Sequence, residues 1–206
     1  MNISSRKTLI CTALTGLILL GGCTGTQLQK VYLVNPVFES VAAPASGPCI
    51  SLGIGPVRMP DYLDRPQIVM RTTRSELLLA RFDRWAEPLT DTLPRVLAQN
   101  LSRLLCIKTV SLYPFRPSVP KDYRLDVEVI RLDGMRGHEV TLEAWWSLSD
   151  GPGKKVQVSK RSKLTEPTQG NDFEALVEAH SRVIGSLCRD IAQAIAESGS
   201  ENSPAQ

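Results

Sequence analysis

The chain reads as an α+β protein, a two-layer sandwich in which a mixed, mainly antiparallel sheet carries two long amphipathic helices on one face. Three observations predict it. First, the runs 123–132, 139–149 and 155–164 look like consecutive strands separated by turn-forming residues. In the first run Tyr123, Leu125, Val127 and Val129 alternate with Arg124, Asp126 and Glu128; in the second Val140, Leu142, Ala144, Trp146 and Leu148 alternate with Thr141, Glu143, Trp145 and Ser147. A period of two puts one set on a buried face and the other in water. Second, Leu89, Leu93, Val96, Leu97 and Leu101 recur at helical spacing, as do Leu176, Val177, His180, Val183, Ile184, Leu187, Cys188 and Ile191. Each stripe needs an apolar partner. Third, the order of strands, helix, strand, three-strand meander and helix lets both stripes lie on one side of one sheet.

The elements follow in order. Val31–Val34 is a brief strand, and 35–48, rich in Pro, Ala, Ser and Gly, is a loop. Cys49–Val57 carries Ile50, Leu52, Ile54 and Val57 at strand spacing and ends among Pro56 and Pro60. Gln67–Arg71 and Glu76–Phe82 suit two more strands around a turn at Thr73-Arg74. Pro88 fits the first turn of a helix over 88–105, because its missing N–H costs nothing there. Pro94 either kinks that helix or moves its regular start to about Thr92. Ile107–Tyr113 is the next strand, stopped by Pro114, Pro117 and Pro120. Asp133–Gly137 and Asp150–Gly153 read as hairpin turns. Asn171 with Glu174 reads as the cap of the last helix.

The first residues address the chain. Arg6 and Lys7 precede the uncharged run Leu9–Leu20, and Leu20-Gly21-Gly22-Cys23 follows. A basic start, a short apolar run and small residues before a cut mark a secretory signal. The run falls well short of the roughly 20 residues that span a bilayer. The cysteine directly after two glycines makes this a lipobox: residues 1–22 are removed and the thiol of Cys23 is lipidated. The plainer reading is an ordinary secretory signal with a chance cysteine. Each buried methylene adds about 0.8 kcal/mol, so several acyl chains on one residue hold effectively permanently. Thr24, where enteric bacteria place Asp to retain a lipoprotein in the inner membrane, points to the outer membrane and a periplasmic domain. The expected organisation is a signal peptide (1–22), a lipidated tether (23–30), one folded domain (31–198) and a disordered tail (199–206).

Removing residues 1–22, with two basic residues and no acidic one, lowers the net charge from +3 to +1. That argues against nucleic acid or another polyanion as partner. Of the five cysteines, Cys49, Cys106 and Cys188 remain once Cys11 is cleaved away and Cys23 is acylated. The periplasm permits disulfides, and an odd number leaves at least one thiol over. Cys49 opens one strand and Cys106 stands where the first helix hands over to the next. In a β–helix–β unit two parallel neighbours start at the same edge, which would bring these two within the roughly 4.4–6.8 Å Cα separation of a bridge. The alternative is that all three are buried and reduced. Cys188, on a helical apolar stripe, is expected to be a buried thiol.

Residues that carry catalysis are scarce. His138 sits beside a turn, and His180 lies in an apolar stripe, where a packed imidazole is the plainer reading. Neither has a Cys or His at ligand spacing. There is no phosphate loop and no nucleophile elbow, and Gly53-Ile54-Gly55 carries no nucleotide signal. No enzymatic role, metal or cofactor is expected. The unusual stretch is 56–71, a proline-bounded loop carrying Asp61, Tyr62, Leu63, Asp64 and Arg65. An aromatic, an aliphatic and paired charges suit a protein contact, with Trp85 beside it. A packed turn in which Tyr62 and Trp85 fill the core is the equal rival, and the wet face around Trp145 is then the next contact surface.

Gly55-Pro56-Val57, Tyr62-Leu63-Asp64-Arg65-Pro66-Gln67-Ile68-Val69, Arg84-Trp85-Ala86-Glu87-Pro88-Leu89 and Arg95-Val96-Leu97-Ala98-Gln99-Asn100-Leu101 resemble the ABC-type transport auxiliary lipoprotein family. The resemblance covers nearly the whole mature chain. It departs at Tyr32-Leu33-Val34, where the family is expected to place Leu two residues after Tyr. The resemblance implies a non-enzymatic, outer-membrane-anchored lipoprotein that works with a periplasmic MCE-domain protein and inner-membrane transport components. Together these would move lipids between the membranes and support envelope integrity. A homo-oligomer is compatible with it. Two other classes stay open: an activator or assembly partner of a cell-wall enzyme or outer-membrane protein, and a lipid-binding lipoprotein. Cys23→Ser is expected to abolish fatty-acid labelling and leave an uncleaved precursor. Label retained in the outer-membrane fraction would refute the lipobox.

Overall fold

Strand β6, Tyr123–Gly134, is the hub of the sheet. The computed structural model describes residues 28–37 and 49–201, with side chains to 198. The expected signal peptide, Cys23 and the end of the chain lie outside the described residues. Ahead of the hub come β1 (Lys30–Tyr32), β2 (Ile50–Arg58), β3 (Gln67–Arg71), β4 (Leu77–Trp85), helix α1 (Leu89–Leu104) and β5 (Ile107–Leu112). After it come β7 (Glu139–Asp150), β8 (Val156–Pro167) and helix α2 (Phe173–Glu201). The last helix thus runs past the boundary expected at residue 198.

One edge of β6 pairs antiparallel with β7 over its whole length, from Tyr123↔Asp150 to Gly134↔Val140, and β7 pairs with β8. The other edge is shared. β2 lies parallel to its first half, from Leu52↔Tyr123 to Arg58↔Glu128, and β5 continues parallel beyond β2. β3 meets its far end at Met70↔Gly134 and carries β4 and then β1 outward as a side wing. Among the described residues four pairings are parallel and three antiparallel, so the α+β sheet is mixed as expected, with more parallel pairing than the alternation alone suggests. The reason is connectivity: parallel neighbours need long crossovers, and α1 supplies one into β5. The longest ladders are antiparallel.

Both helices cover one face. α1 packs on β2 and β5, α2 on β6, β7 and β8, and the helices touch each other. α1 buries Leu89, Leu93, Val96, Leu97 and Leu101, the residues of its apolar stripe. Pro88 is its N-cap, and the helix continues through Pro94. Five buried aliphatic side chains stabilise it by about 10 kcal/mol, which outweighs the roughly 3 kcal/mol cost of an interior proline. The cap of α2 is Asp172, whose carboxylate accepts the Ala175 N–H at 2.8 Å. The cap therefore sits one residue beyond Asn171. Asp133 is not in a turn either: β6 runs to Gly134, and the β6–β7 turn is confined to 135–138.

The glycines at 53 and 55 have structural work. A side chain at Gly53 would collide with Lys121 and Phe115, and Gly55 has φ +106°, closed to other residues at little cost. Gly55 lies where the β2–β6 register shifts, between Ile54 and Val57. At the opposite end of β2, its parallel start beside β5 brings Cys49 and Cys106 into a disulfide with Cα atoms 4.5 Å apart. Cys188 is a buried free thiol, pushed up to about 12 by burial. The bridge spans 57 residues, so its removal by Cys106→Ser is expected to cost about 2–4 kcal/mol. Denaturation with and without reductant checks this. Cys188 is expected to resist thiol reagents until the chain unfolds.

Candidate functional site

The loop from Met59 to Pro66 leaves β2 and crosses to β3. It is built of tight turns: the Leu63 N–H donates to the Pro60 carbonyl (2.9 Å), Asp64 to Asp61 (3.2 Å) and Arg65 to Leu63 (2.9 Å). The Trp85 N–H then clips the Pro66 carbonyl at 2.7 Å. This folding splits the expected contact residues into two sets. Asp61 and Asp64 are exposed and Arg65 is half-buried. Leu63 and Trp85 belong to the core, at 2% and 6% exposure. They are therefore not presented to a partner, a correction with a plain cause: apolar area of that size gains more by burial in the core than by waiting in water. Trp85 packs edge-on against the His180 ring, 5.4 Å between centroids.

Tyr62 is divided between the two sets. Its ring is half-buried and its hydroxyl donates to Asp133 Oδ2 at 2.9 Å. Asp133 is fully buried and accepts three further bonds. Arg71 Nε and Nη2 reach Oδ1 and Oδ2 at 2.8 Å each, and Arg131 Nε reaches Oδ1 at 2.8 Å. Burial alone would raise this carboxyl, but the bonds from Arg71, Arg131 and Tyr62 hold it below the usual carboxylate range. Burial, reinforced by the Asp133 charge, pushes the Tyr62 hydroxyl up to about 12. His180, fully buried, is held below its ordinary value by burial. Its Nδ1 lies 2.8 Å from the Leu176 carbonyl, which can only accept, so Nδ1 carries the proton. The network is a support beneath the loop. Sequence reasoning missed it because Asp133 stands next to Gly134 and reads as a turn residue.

On the face of the sheet away from the helices the ladder assembles a second feature. Register places Arg58, Glu128, Trp145 and Arg161 side by side across β2, β6, β7 and β8. Trp145 is 47% exposed, and Arg161 stacks over its ring at 5.7 Å while pairing with Glu143. Beside it lies a shallow groove of about 150 Å³. Arg58 is also the residue from which the 59–66 loop leaves β2. His138 is exposed beside its turn. Among the described residues no cluster of three or more His, Cys, Asp or Glu could hold a metal ion. Among them, too, no helix is long and apolar enough to cross a membrane.

A model of the ABC-type transport auxiliary lipoprotein component family matches residues 32–192. The chain belongs to that family. The match takes in the loop, the Asp133 network, helix α1, most of α2 and most of the sheet. It is a family of transport auxiliary lipoproteins and not of enzymes. The intermembrane transport lipoprotein PqiC of Escherichia coli (strain K12) is 28% identical over 178 residues, covering 85% of this chain and 91% of the relative, and the Shigella flexneri protein of the same name matches equally. The fold recurs in the crystal structure of protein XCC0632 from Xanthomonas campestris, with TM-score 0.68, 19% identity, and 85% and 100% of the two chains covered. It recurs again in an uncharacterised protein, with TM-score 0.65, 20% identity, and 82% and 99% covered.

The Asp133 network generates a stability prediction. Its carboxylate contributes fully above the usual carboxylate range, and the contribution is lost as pH falls through its lowered value. Asp133→Asn leaves two guanidiniums without their shared anion and is expected to cost about 3 kcal/mol at neutral pH. Tyr62→Phe is expected to cost about 1 kcal/mol. Denaturant titrations at neutral and acid pH check both, and the gap between Asp133→Asn and the parent should narrow in acid.

Proposed function

We propose that this chain is a non-enzymatic accessory subunit of an MCE-type lipid transport system, anchored by Cys23 in the outer membrane with its domain in the periplasm. What supports the reading is membership of the transport auxiliary lipoprotein family over 32–192, together with the lipobox Leu20-Gly21-Gly22-Cys23 ahead of it. PqiC, the relative, carries intermembrane transport in its name. In this role the protein holds the periplasmic MCE-domain protein, and through it the inner-membrane components, at the outer membrane, and so supports envelope integrity.

The partner-binding surface is the outer side of the 58–66 loop, with Asp61, Asp64 and Arg65 as charged contacts and the exposed part of the Tyr62 ring between them. Arg58 and Trp145 extend it across the sheet. The Tyr62–Asp133 bond and the buried Leu63 hold the loop in place before binding, which reduces the entropy lost on docking.

The test is co-purification from detergent-solubilised membranes. The parent protein is expected to bring down an MCE-domain protein. Asp61→Lys with Asp64→Lys, both at exposed positions, is expected to lose it while stability stays within about 0.5 kcal/mol of the parent, as surface changes do. Recovery of a penicillin-binding protein or an outer-membrane protein instead would overturn the transport reading. Unchanged MCE binding by the double variant, with loss in Trp145→Ala, would move the docking surface to the Trp145 ladder.

A further inference from the structure

The wing formed by β1, β3 and β4 ends in a hairpin whose turn, 72–76, is polar and whose β4 strand is exposed and apolar just behind it. Leu78 and Leu79 are each 47% exposed, and because successive strand residues point to opposite faces, the strand next to the turn is apolar on both sides. β1 pairs with β4 only at Asp83, Arg84 and Trp85, so among the described residues the outer edge of Leu77–Phe82 has no strand beside it. The β6–β7 turn comes out at the same end, since β3 meets β6 at Met70↔Gly134, and adds Met135 at 39% exposure. Arg74, Arg81 and Arg136 are exposed at this end, interspersed with Glu76, Glu139, Asp172 and the half-buried Asp83.

The chain outside the described residues says which partner this end faces. β1 runs parallel to β4, so residues before Lys30 approach from the tip end. Leu28 lines a groove with Phe82, Arg136 and Phe173 at that end. Cys23 stands five residues before Leu28, a distance the chain spans with at most about 18 Å. The twelve residues of β6 measure about 40 Å from this end to the disulfide end. A lipid on Cys23 therefore places the bilayer at the hairpin tip and out of reach of the opposite end.

We propose that the β3–β4 tip and the adjoining β6–β7 turn form a bilayer-contact surface, with Leu78, Leu79 and Met135 in the headgroup–acyl boundary and Arg74, Arg81 and Arg136 on lipid phosphates. The inference rests on the anchored lipoprotein reading and adds an orientation to it. Exposed apolar side chains with arginines beside them suit that boundary, where the stems lie in the apolar layer and the guanidiniums reach the phosphates. The Cys49–Cys106 end, the loop 113–122 and the β7–β8 turn then point away from the membrane into the periplasm.

The test uses the full mature lipoprotein in vesicles of phosphatidylethanolamine and phosphatidylglycerol. Leu78→Cys carries a nitroxide, and Lys154→Cys, exposed in the β7–β8 turn, carries the reference label. Vesicle flotation of the same samples reports the anchor. The expected result is flotation of both, with an oxygen-to-nickel-chelate collision ratio several-fold higher at 78 than at 154. Flotation with equal ratios at the two sites overturns the contact surface and leaves the anchor standing. A label at 78 that is immobilised but still aqueous also overturns it, in favour of a protein strand on the free edge of β4. Failure to float overturns the anchor and the surface together.

Discussion

The carboxylate of Asp133 joins parts of the molecule that the backbone alone holds loosely. The wing of β1, β4 and β3 meets the hub strand through the single pairing Met70↔Gly134. One bridge leaves a strand free to pivot. Asp133 removes that freedom by accepting from Arg71 on the wing, Arg131 on the hub and Tyr62 on the connecting loop. A buried acid with every oxygen engaged specifies one geometry, and with a donor missing it becomes a cost. The two arginines keep part of their surface in water, so the charges are matched without complete desolvation.

Around this tie the apolar core closes. Leu63 from the loop and Trp85 from the wing enter the same core as the stripes of both helices. His180 meets Trp85 as a neutral ring, its one donor spent on the carbonyl one turn back in α2. The loop is thus fastened on its inner side by apolar burial and a hydrogen bond and leaves charged groups on its outer side. A surface of that kind keeps its shape before a partner arrives, which suits a family whose members are auxiliary components of transport. The disulfide does comparable work at the other end, where β2 and β5 begin side by side.

Local chemistry made much of this legible in the residues. Strands and helices follow from periods of two and 3.6 because burial on one face imposes that spacing. The Cys49–Cys106 bridge was legible for the same reason: a β–helix–β unit starts its parallel strands at one edge. So was the burial of Cys188 and His180 in a helical stripe. The lipobox expected at Cys23 rests on charge, length and small residues alone and lies outside the described residues.

Other features depend on residues far apart in sequence, and only the tertiary structure decided them. Asp133 beside Gly134 has the local look of a turn; it is a strand residue because Tyr62 and Arg71, from another part of the chain, satisfy it. Trp85 and Leu63 have the composition of contact residues and are core, because the wing folds them inward. The Arg58–Glu128–Trp145–Arg161 ladder exists only through register across four strands. Patterning along a chain determines which face of an element is buried. Which element lies against that face, and which charges become neighbours, is set by pairings between distant segments that no local pattern encodes.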